Sequence, residues 1–579
     1  MKRGKRVVVK EKPSRKKMTK EEVQHKKKVI KSVFFTIIAI IVIGIAAMIA
    51  NDYIIIDNNK RTNLVINNKN VTSSLKNDVL IENDVIYLSK QDIANFFDKH
   101  IYQDDKTKEI ITTYDKKIAE IGLENKVINI NGSDKQISSS AIEKDGQIYL
   151  PISEMADVYN IEISNIQESN IVTMDSLDKE QKRAIVNSNI AVKSTSNFIS
   201  KTVDRVKKGD AVIVVNSDKG YTKVRTANGK VGIVKSNKLE NEFAIRENME
   251  EEKQISGKVN LTWDYYSEYA SAPDRSGTKI DGVNVVSPAF FYLDTDGKLK
   301  ENAGNSGKAY VKWAKDNGYK VWPIVSNGVA ANKSLSITSN IMNDYEKRKE
   351  LIEDIVSKCV EYELDGINID FENMKSEDKD MFSRFIIELE PRLKEIGMVL
   401  SVDVTAPDGG DTWSMCFDRN VIGDVSDYII FMAYDQNGSS STKPGTTAGY
   451  NWVKLNLVKF LQTEEIEPDK LILAVPFYTR VWTTNADGKV ISNGTLNIKN
   501  TEAAIPDGVD KQWNDELKQN YVTFTSGNNT KQIWIEDLES LKAKISLIKD
   551  NDLAGVASWE YNMASDDVWA MIKEELNKW

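Results

Sequence analysis

Apolar positions in the second half of the chain fall into short, β-branched runs, each followed by a stretch with helical periodicity. The runs near 258–263, 282–292, 320–326, 365–372, 398–404, 428–434, 471–477 and 553–559 predict eight strands. Strands alternating with helices predict a parallel sheet covered outside by helices. Eight such units over 255–579 predict an α/β fold, a closed (β/α)8 TIM barrel. A polar stretch rich in Asn, Gly, Thr and Lys at about 482–533 predicts a small α+β insertion beside the cleft.

Upstream, residues 33–50 form an apolar run of 18, followed by Asn51-Asp52 and a short patch at 53–56. This length predicts a single transmembrane anchor over 33–56. Residues 63–177 contain an internal repeat, Ile86-Tyr87-Leu88 recurring as Ile148-Tyr149-Leu150, and predict an α+β module. Residues 184–240 alternate short β runs with turns at Gly209-Asp210, Asp218-Lys219-Gly220 and Asn228-Gly229, which predicts an all-β module. The charged run at 241–254 predicts a solvated linker into the barrel.

The fourth barrel run, Asp365-Gly366-Ile367-Asn368-Ile369-Asp370-Phe371-Glu372, carries the most chemistry. Side chains alternate along a strand, so Asn368, Asp370 and Glu372 share one face while Ile367, Ile369 and Phe371 share the other. Polar groups on a buried face are costly unless they bond one another or act on a substrate. The run ends in Glu372 where a barrel strand meets its catalytic face. Carboxylates merely solvated at a strand edge are the competing reading, and the strict alternation disfavours it.

Charge separates the ends of the chain. Residues 1–32 hold 14 Lys or Arg against 3 Glu, a net of +11, so the whole-chain −8 leaves −19 for the rest. By the positive-inside rule this basic tail is cytoplasmic and the remainder lies outside, so the expected location is the cell membrane, with the barrel facing the cell wall. The acidic remainder excludes a nucleic-acid partner. Two cysteines, Cys359 and Cys416, exclude a disulfide scaffold. His25 and His100 are the only histidines, too few for an imidazole-rich copper site, so no metal or cofactor is expected.

The fourth run resembles the DxxDxDxE signature of family 18 glycoside hydrolases, the chitinase-like enzymes, which are (β/α)8 barrels with this motif on the fourth strand. Met432-Ala433-Tyr434-Asp435 resembles the family's MxYD element, and Trp559 stands where the family places the Trp that floors the reactive subsite. The resemblance implies a retaining, substrate-assisted hydrolysis of β-1,4 bonds at N-acetylglucosamine, in which the substrate's acetamido oxygen attacks the anomeric carbon. Glu372 would be the acid and later the base. Asp370 would hold the acetamido N–H and face the developing positive charge, and Tyr434 would steady the attacking carbonyl. Asn368, Asp435, Met432, Trp559 and Tyr478 are the implied substrate-binding positions, with Asp365 and Gly366 completing the motif.

One departure stands out. Asn368 occupies a position where the family has Asp, which implies that it hydrogen-bonds Asp370 without sharing a proton and leaves a simple acid limb. The DGxNIDFE variant resembles the spore-germination and cell-wall branch, which shifts the expected glycan from chitin towards peptidoglycan. A chitinase, or a non-catalytic glycan-binding lectin, are the alternatives. The 63–177 module resembles the N-terminal domain of copper amine oxidases, and the 184–240 module a bacterial SH3-like barrel. Both imply a stalk or wall-binding unit.

Overall fold

A computed structural model describes residues 19–56, 61–197, 200–248, 254–267, 270–301, 303–328 and 331–578. The chain forms two compact units: residues up to Ile86 with Asn160–Met249, and Tyr87–Tyr159 with Glu250–Trp579.

In the second unit the eight expected strands close into a barrel. The first, Val259–Asp264, pairs in parallel with both Val285–Pro288 and Gly555–Trp559, so the last strand joins the first. Leu471–Pro476 completes the ring on the other side of Gly555–Trp559. The second and third strands are each broken in two. Val285–Pro288 pairs with Lys320–Val321, while Phe291–Leu293 pairs with Ile324–Ser326. Ile324–Ser326 then meets the fourth strand, Gly366–Asp370, which is followed by Val399–Val404 and Tyr428–Met432.

The alternation read from the fourth strand sorts its side chains into two cores. Ile367, Ile369 and Phe371 pack outward into the layer between strands and helices, with Phe382, Phe385 and Leu389 of the helix Lys379–Glu395. Inside the barrel a separate cluster holds Trp263, Trp322, Ile324, Val399, Ile430 and Ile472. Trp322 explains Gly366. A Cβ on residue 366 would stand 2.6 Å from the Trp322 Cδ1 and 2.7 Å from the Val399 carbonyl oxygen, so any larger residue would push the strands apart.

The insertion consists of five antiparallel strands between Tyr478 and Trp534, with short 3-10 turns in place of the α-helical part expected of an α+β element. Behind it, Glu536 and Lys544 form a fully buried ion pair, with Lys544 Nζ 2.8 Å from Glu536 Oε2 and 3.0 Å from Oε1. Ser540 Oγ and Gln519 Nε2 donate the remaining hydrogen bonds to this carboxylate. Cys359 and Cys416 are free and buried.

Residues 87–159 of the same unit lie against the barrel helices Tyr345–Glu361 and Lys379–Glu395. Arg348 donates to both Glu388 oxygens, at 2.9 and 3.0 Å, and to the Tyr102 hydroxyl at 2.7 Å. Ile111 and Ile118 pack on Tyr345. The two copies of the internal repeat are neighbours in one sheet, Leu150 opposite Leu88 and Tyr149 opposite Ser89.

In the first unit, seven strands from Gln181–Val186 to Leu239–Arg246 form one antiparallel sheet around Val186, Val192, Val206, Val212, Val224 and Val234. Residues 241–246, expected as linker, continue the last strand and pair with Gln181–Val186. Residues 249–253 of that linker lie outside the described residues, as do residues 1–18 of the basic tail.

The membrane anchor is overturned. Residues Lys20–Ile56 form one helix, but among the described residues no helix is long and apolar enough to cross a membrane. The described part of the apolar run, 33–43, covers about 16 Å at 1.5 Å per residue, against about 30 Å of bilayer hydrocarbon. The side chains of 44–50, which the expected span also needs, lie outside the described set. The membrane partner and the membrane location fall with the anchor.

Candidate active site

The mouth of the barrel is built from the C-terminal ends of its strands. Glu372 stands two residues beyond the end of the fourth strand, and its main chain is fixed from the neighbouring strand end. Its N–H donates to Asn327 Oδ1 at 3.0 Å, and Asn327 Nδ2 donates back to the Glu372 carbonyl at 2.8 Å and to Thr338 Oγ1 at 3.0 Å. The Glu372 backbone therefore cannot turn without breaking a buried network.

Asn368 lies deeper and is fully occupied. Trp263 Nε1 donates to its Oδ1 at 2.8 Å, while its own Nδ2 donates to Asp403 Oδ1 at 2.8 Å and Ser401 Oγ at 3.1 Å. Both amide hydrogens are used. The expected bond from Asn368 to Asp370 is not made, for a geometric reason. Residues i and i+2 on one face of a strand stand nearly 7 Å apart, whereas lateral neighbours on adjacent strands stand about 4.8 Å apart. Asn368 lies directly opposite Ser401, and in that register it reaches sideways.

Asp370 sits one step nearer the mouth, opposite Ser326, and its Oδ1 is buried without a hydrogen-bond partner. Burial pushes its carboxyl up to about 6. Glu372 is held well above the ordinary glutamate range, first by burial and then by the charges of Asp370 and Asp435. Asp403 is raised well above the aspartate range by burial and then by Asp370, against the pull of the Asn368 amide. The carboxylate beside Asp370 stands on the fifth strand, at Asp403.

The sixth and seventh strands close the other side. Tyr434 faces the same interior, and its hydroxyl is raised by burial and then by Asp403 and other neighbours. Its ring lies edge-on to Tyr478, 6.3 Å between centroids. Tyr478 Oη donates to Asp435 Oδ1 at 2.7 Å, and Arg480 Nη2 approaches the same oxygen at 3.3 Å. Asp435 adopts the left-handed backbone conformation, φ 55°, which Asp tolerates better than most residues. Met432 is buried in the strand beneath. At the end of the eighth strand the half-buried Trp559 ring stands 5.6 Å from the rings of Trp263 and Tyr265.

The structure therefore gathers Asn368, Asp370, Glu372, Tyr434, Asp435, Tyr478 and Trp559 around one mouth. Asp365 is elsewhere. At the opposite end of the strand, about 16 Å from Asp370 by strand rise, it accepts from Lys320 Nζ at 2.9 Å and the Val321 N–H at 3.1 Å. Its work is to hold register. Sequence reasoning missed Asp403, Trp263, Asn327 and Arg480. Asp403 had a readable signal, because Ser401, Asp403 and Thr405 alternate with Val402 and Val404 as the fourth strand's residues do.

Comparison with known proteins matches residues 261–564 to the family described as glycosyl hydrolases family 18, and residues 47–174 to the copper amine oxidase N-terminal domain. A Bacillus subtilis relative, the uncharacterized glycosylase YvbX, is 26% identical over 300 residues, covering 50% of this chain and 84% of that one. The cortical fragment-lytic enzyme of Bacillus subtilis is 22% identical over 243 residues, covering 41% and 56%. Among solved structures, a chitinase from Chromobacterium violaceum aligns at a TM-score of 0.48 and 22% identity, covering 55% of this chain and 99% of that one.

Proposed function

Because the chain belongs to glycosyl hydrolase family 18 and is a glycosidase, we propose that it cleaves β-1,4 bonds at N-acetylglucosamine in peptidoglycan with retention of configuration. Glu372 protonates the leaving oxygen and then activates water. Asp370 accepts the acetamido N–H through its free Oδ1 and faces the positive charge of the cyclic intermediate. Tyr434 supports the attacking carbonyl, Trp559 carries the sugar, and Asp435, Tyr478, Asn368 and Met432 shape the subsite.

One observation carries substrate assistance. A retaining enzyme without it needs a second carboxylate free to attack the sugar. Here Asp435 is bonded to Tyr478 and Arg480, and Asp403 is buried and held by the Asn368 amide. Asp370 adjoins the acid on the same strand, so the substrate's own acetamide is left as the nucleophile. Proton NMR of the first product formed from an N-acetylglucosamine oligomer tests this. The β-anomer supports the mechanism, and the α-anomer as first product refutes it.

Peptidoglycan is favoured by Asn368 in the DGxNIDFE run and by relatives named as cortical fragment-lytic enzymes, which fits wall or spore-cortex remodelling. A chitin oligomer is the second reading, supported by relatives named as chitinase and di-N-acetylchitobiase. We assign residues 63–177 and 184–240 to wall-binding or spacer modules, the latter SH3-like.

A further inference from the structure

Glu372 stands where the fourth strand has already ended, so no strand pairing fixes its main chain. The ladder between the third and fourth strands closes at Ser326 opposite Asp370. Beyond that rung the third strand turns away. Gly328 takes φ +110°, a conformation open to glycine, and a Cβ there would stand 2.7 Å from the Leu293 carbonyl oxygen. On the other strand Asn373 adopts the left-handed conformation, φ 52°, so the chain bends one residue after Glu372.

The ladder itself identifies the rung that is missing. The Asn368 N–H donates to the Pro323 carbonyl at 2.9 Å. Parallel rungs repeat every two residues along both strands, so the Glu372 N–H falls due at the main-chain carbonyl of residue 327. It donates instead to the side chain of that residue, Asn327 Oδ1, at 3.0 Å. The Glu372 carbonyl accepts from Asn327 Nδ2 at 2.8 Å. One carboxamide, with a donor and an acceptor, thus takes the place of the peptide groups that a continued strand would have offered. Its second amide hydrogen goes to Thr338 Oγ1 at 3.0 Å, which fixes the way the amide faces. Asn327 and Thr338 are both buried, so water does not share these bonds. At the far end of the same loop, Asp378 Oδ1 accepts from Ser339 Oγ at 3.1 Å and Asn343 Nδ2 at 2.6 Å. The loop after the fourth strand is therefore tied at both ends to the segment that begins where the third strand stops.

We propose that Asn327 is a positioning residue for the acid: its amide adds one rung to the third strand and so sets the Glu372 carboxyl at the height from which it reaches the leaving oxygen. This rests on the proposed role of Glu372, and Asn327 acts only through that residue's main chain.

The consequence is selective. A displaced acid matters where the leaving group needs a proton, as the sugar hydroxyl of an N-acetylglucosamine oligomer does. A dinitrophenyl glycoside of the same sugar departs as a stable phenolate and needs none. Its kcat/KM covers binding and bond cleavage, before any base activates water, and Asp370 stays in the ladder throughout. Asn327→Ala therefore lowers kcat/KM on the oligomer by about a hundredfold and on the dinitrophenyl glycoside by less than about threefold.

The experiment measures both rates for the full chain and its Asn327→Ala, Asn327→Leu and Glu372→Gln forms. Asn327→Leu keeps a branched side chain and bars water from the gap, and thermal unfolding shows which variants fold. Loss on the oligomer with the dinitrophenyl rate retained, in whichever Asn327 variant folds, supports the proposal. Equal loss on both substrates, or failure of both variants to fold, makes Asn327 merely structural and overturns it, as do wild-type rates on both substrates. Glu372→Gln separates the two claims. If it keeps the oligomer rate, the acid assignment fails; if it loses that rate while the Asn327 variants keep theirs, only the role of Asn327 fails.

Discussion

Replacing Asp370 by Asn tests the electrostatics of the proposed site, because it removes a charge and leaves the shape nearly unchanged. In the proposed mechanism the carboxylate faces the place where positive charge develops, and its Oδ1 has no donor from the protein to weaken it. A unit charge about 4 Å from its counter-charge, at an effective dielectric constant near 20, is worth about 4 kcal/mol. Losing it lowers kcat by about a thousandfold, with a smaller effect on KM, since the charge appears only as the bond breaks. The same residue sets the acid limb. In the proposed mechanism Asp370 works ionised, and burial pushes its carboxyl up to about 6, so wild-type kcat is expected to rise with pH through that region and to fall about tenfold for each unit below it. Initial rates on a fluorogenic N-acetylglucosamine oligomer, read across mildly acidic to neutral pH, give both quantities. A variant within about tenfold of wild type, or a wild-type rate that is flat through pH 6, would refute the reasoning.

Three further outcomes follow. Thiazoline analogues of N-acetylglucosamine, which mimic the cyclic intermediate, inhibit competitively; robust hydrolysis with no inhibition counts against assistance by the acetamide. Trp559→Ala lowers kcat/KM by about ten- to a hundredfold through lost stacking, measured on the same oligomer, and an unchanged value removes Trp559 from the subsite. Lys544→Ala strands the Glu536 carboxylate, buried and already raised by that burial, at a cost of about 3–5 kcal/mol. Thermal unfolding followed by tryptophan fluorescence shows this as a lowered transition, whereas an unshifted transition would mean that water reaches the pair.

The barrel was legible because its strands obey two simple periodicities at once. Each reads as a short apolar run, and the fourth adds a polar face that the structure turns inward, with Ile367, Ile369 and Phe371 outward. The breaks in the second and third strands were not legible, since 282–292 and 320–326 each read as one mainly apolar run and Pro288 and Pro323 interrupt pairing only once neighbours are known. Asn368 shows a second limit. Its spacing from Asp370 suggested a bond along the strand, while the distance across to Ser401 and Asp403 is shorter, and lateral register is absent from a single strand's pattern. The apolar run after residue 32 announced a membrane anchor through hydropathy alone, and the described helix does not sustain one.

The most direct test of the central claim is mass spectrometry of the products released from purified peptidoglycan, and in parallel from chitin oligomers, by the full chain and by its Glu372→Gln form. The account predicts muropeptides ending in reducing N-acetylglucosamine from the wild-type protein and none from the variant. Cleavage confined to chitin oligomers, or equal release by the Glu372→Gln form, would contradict it.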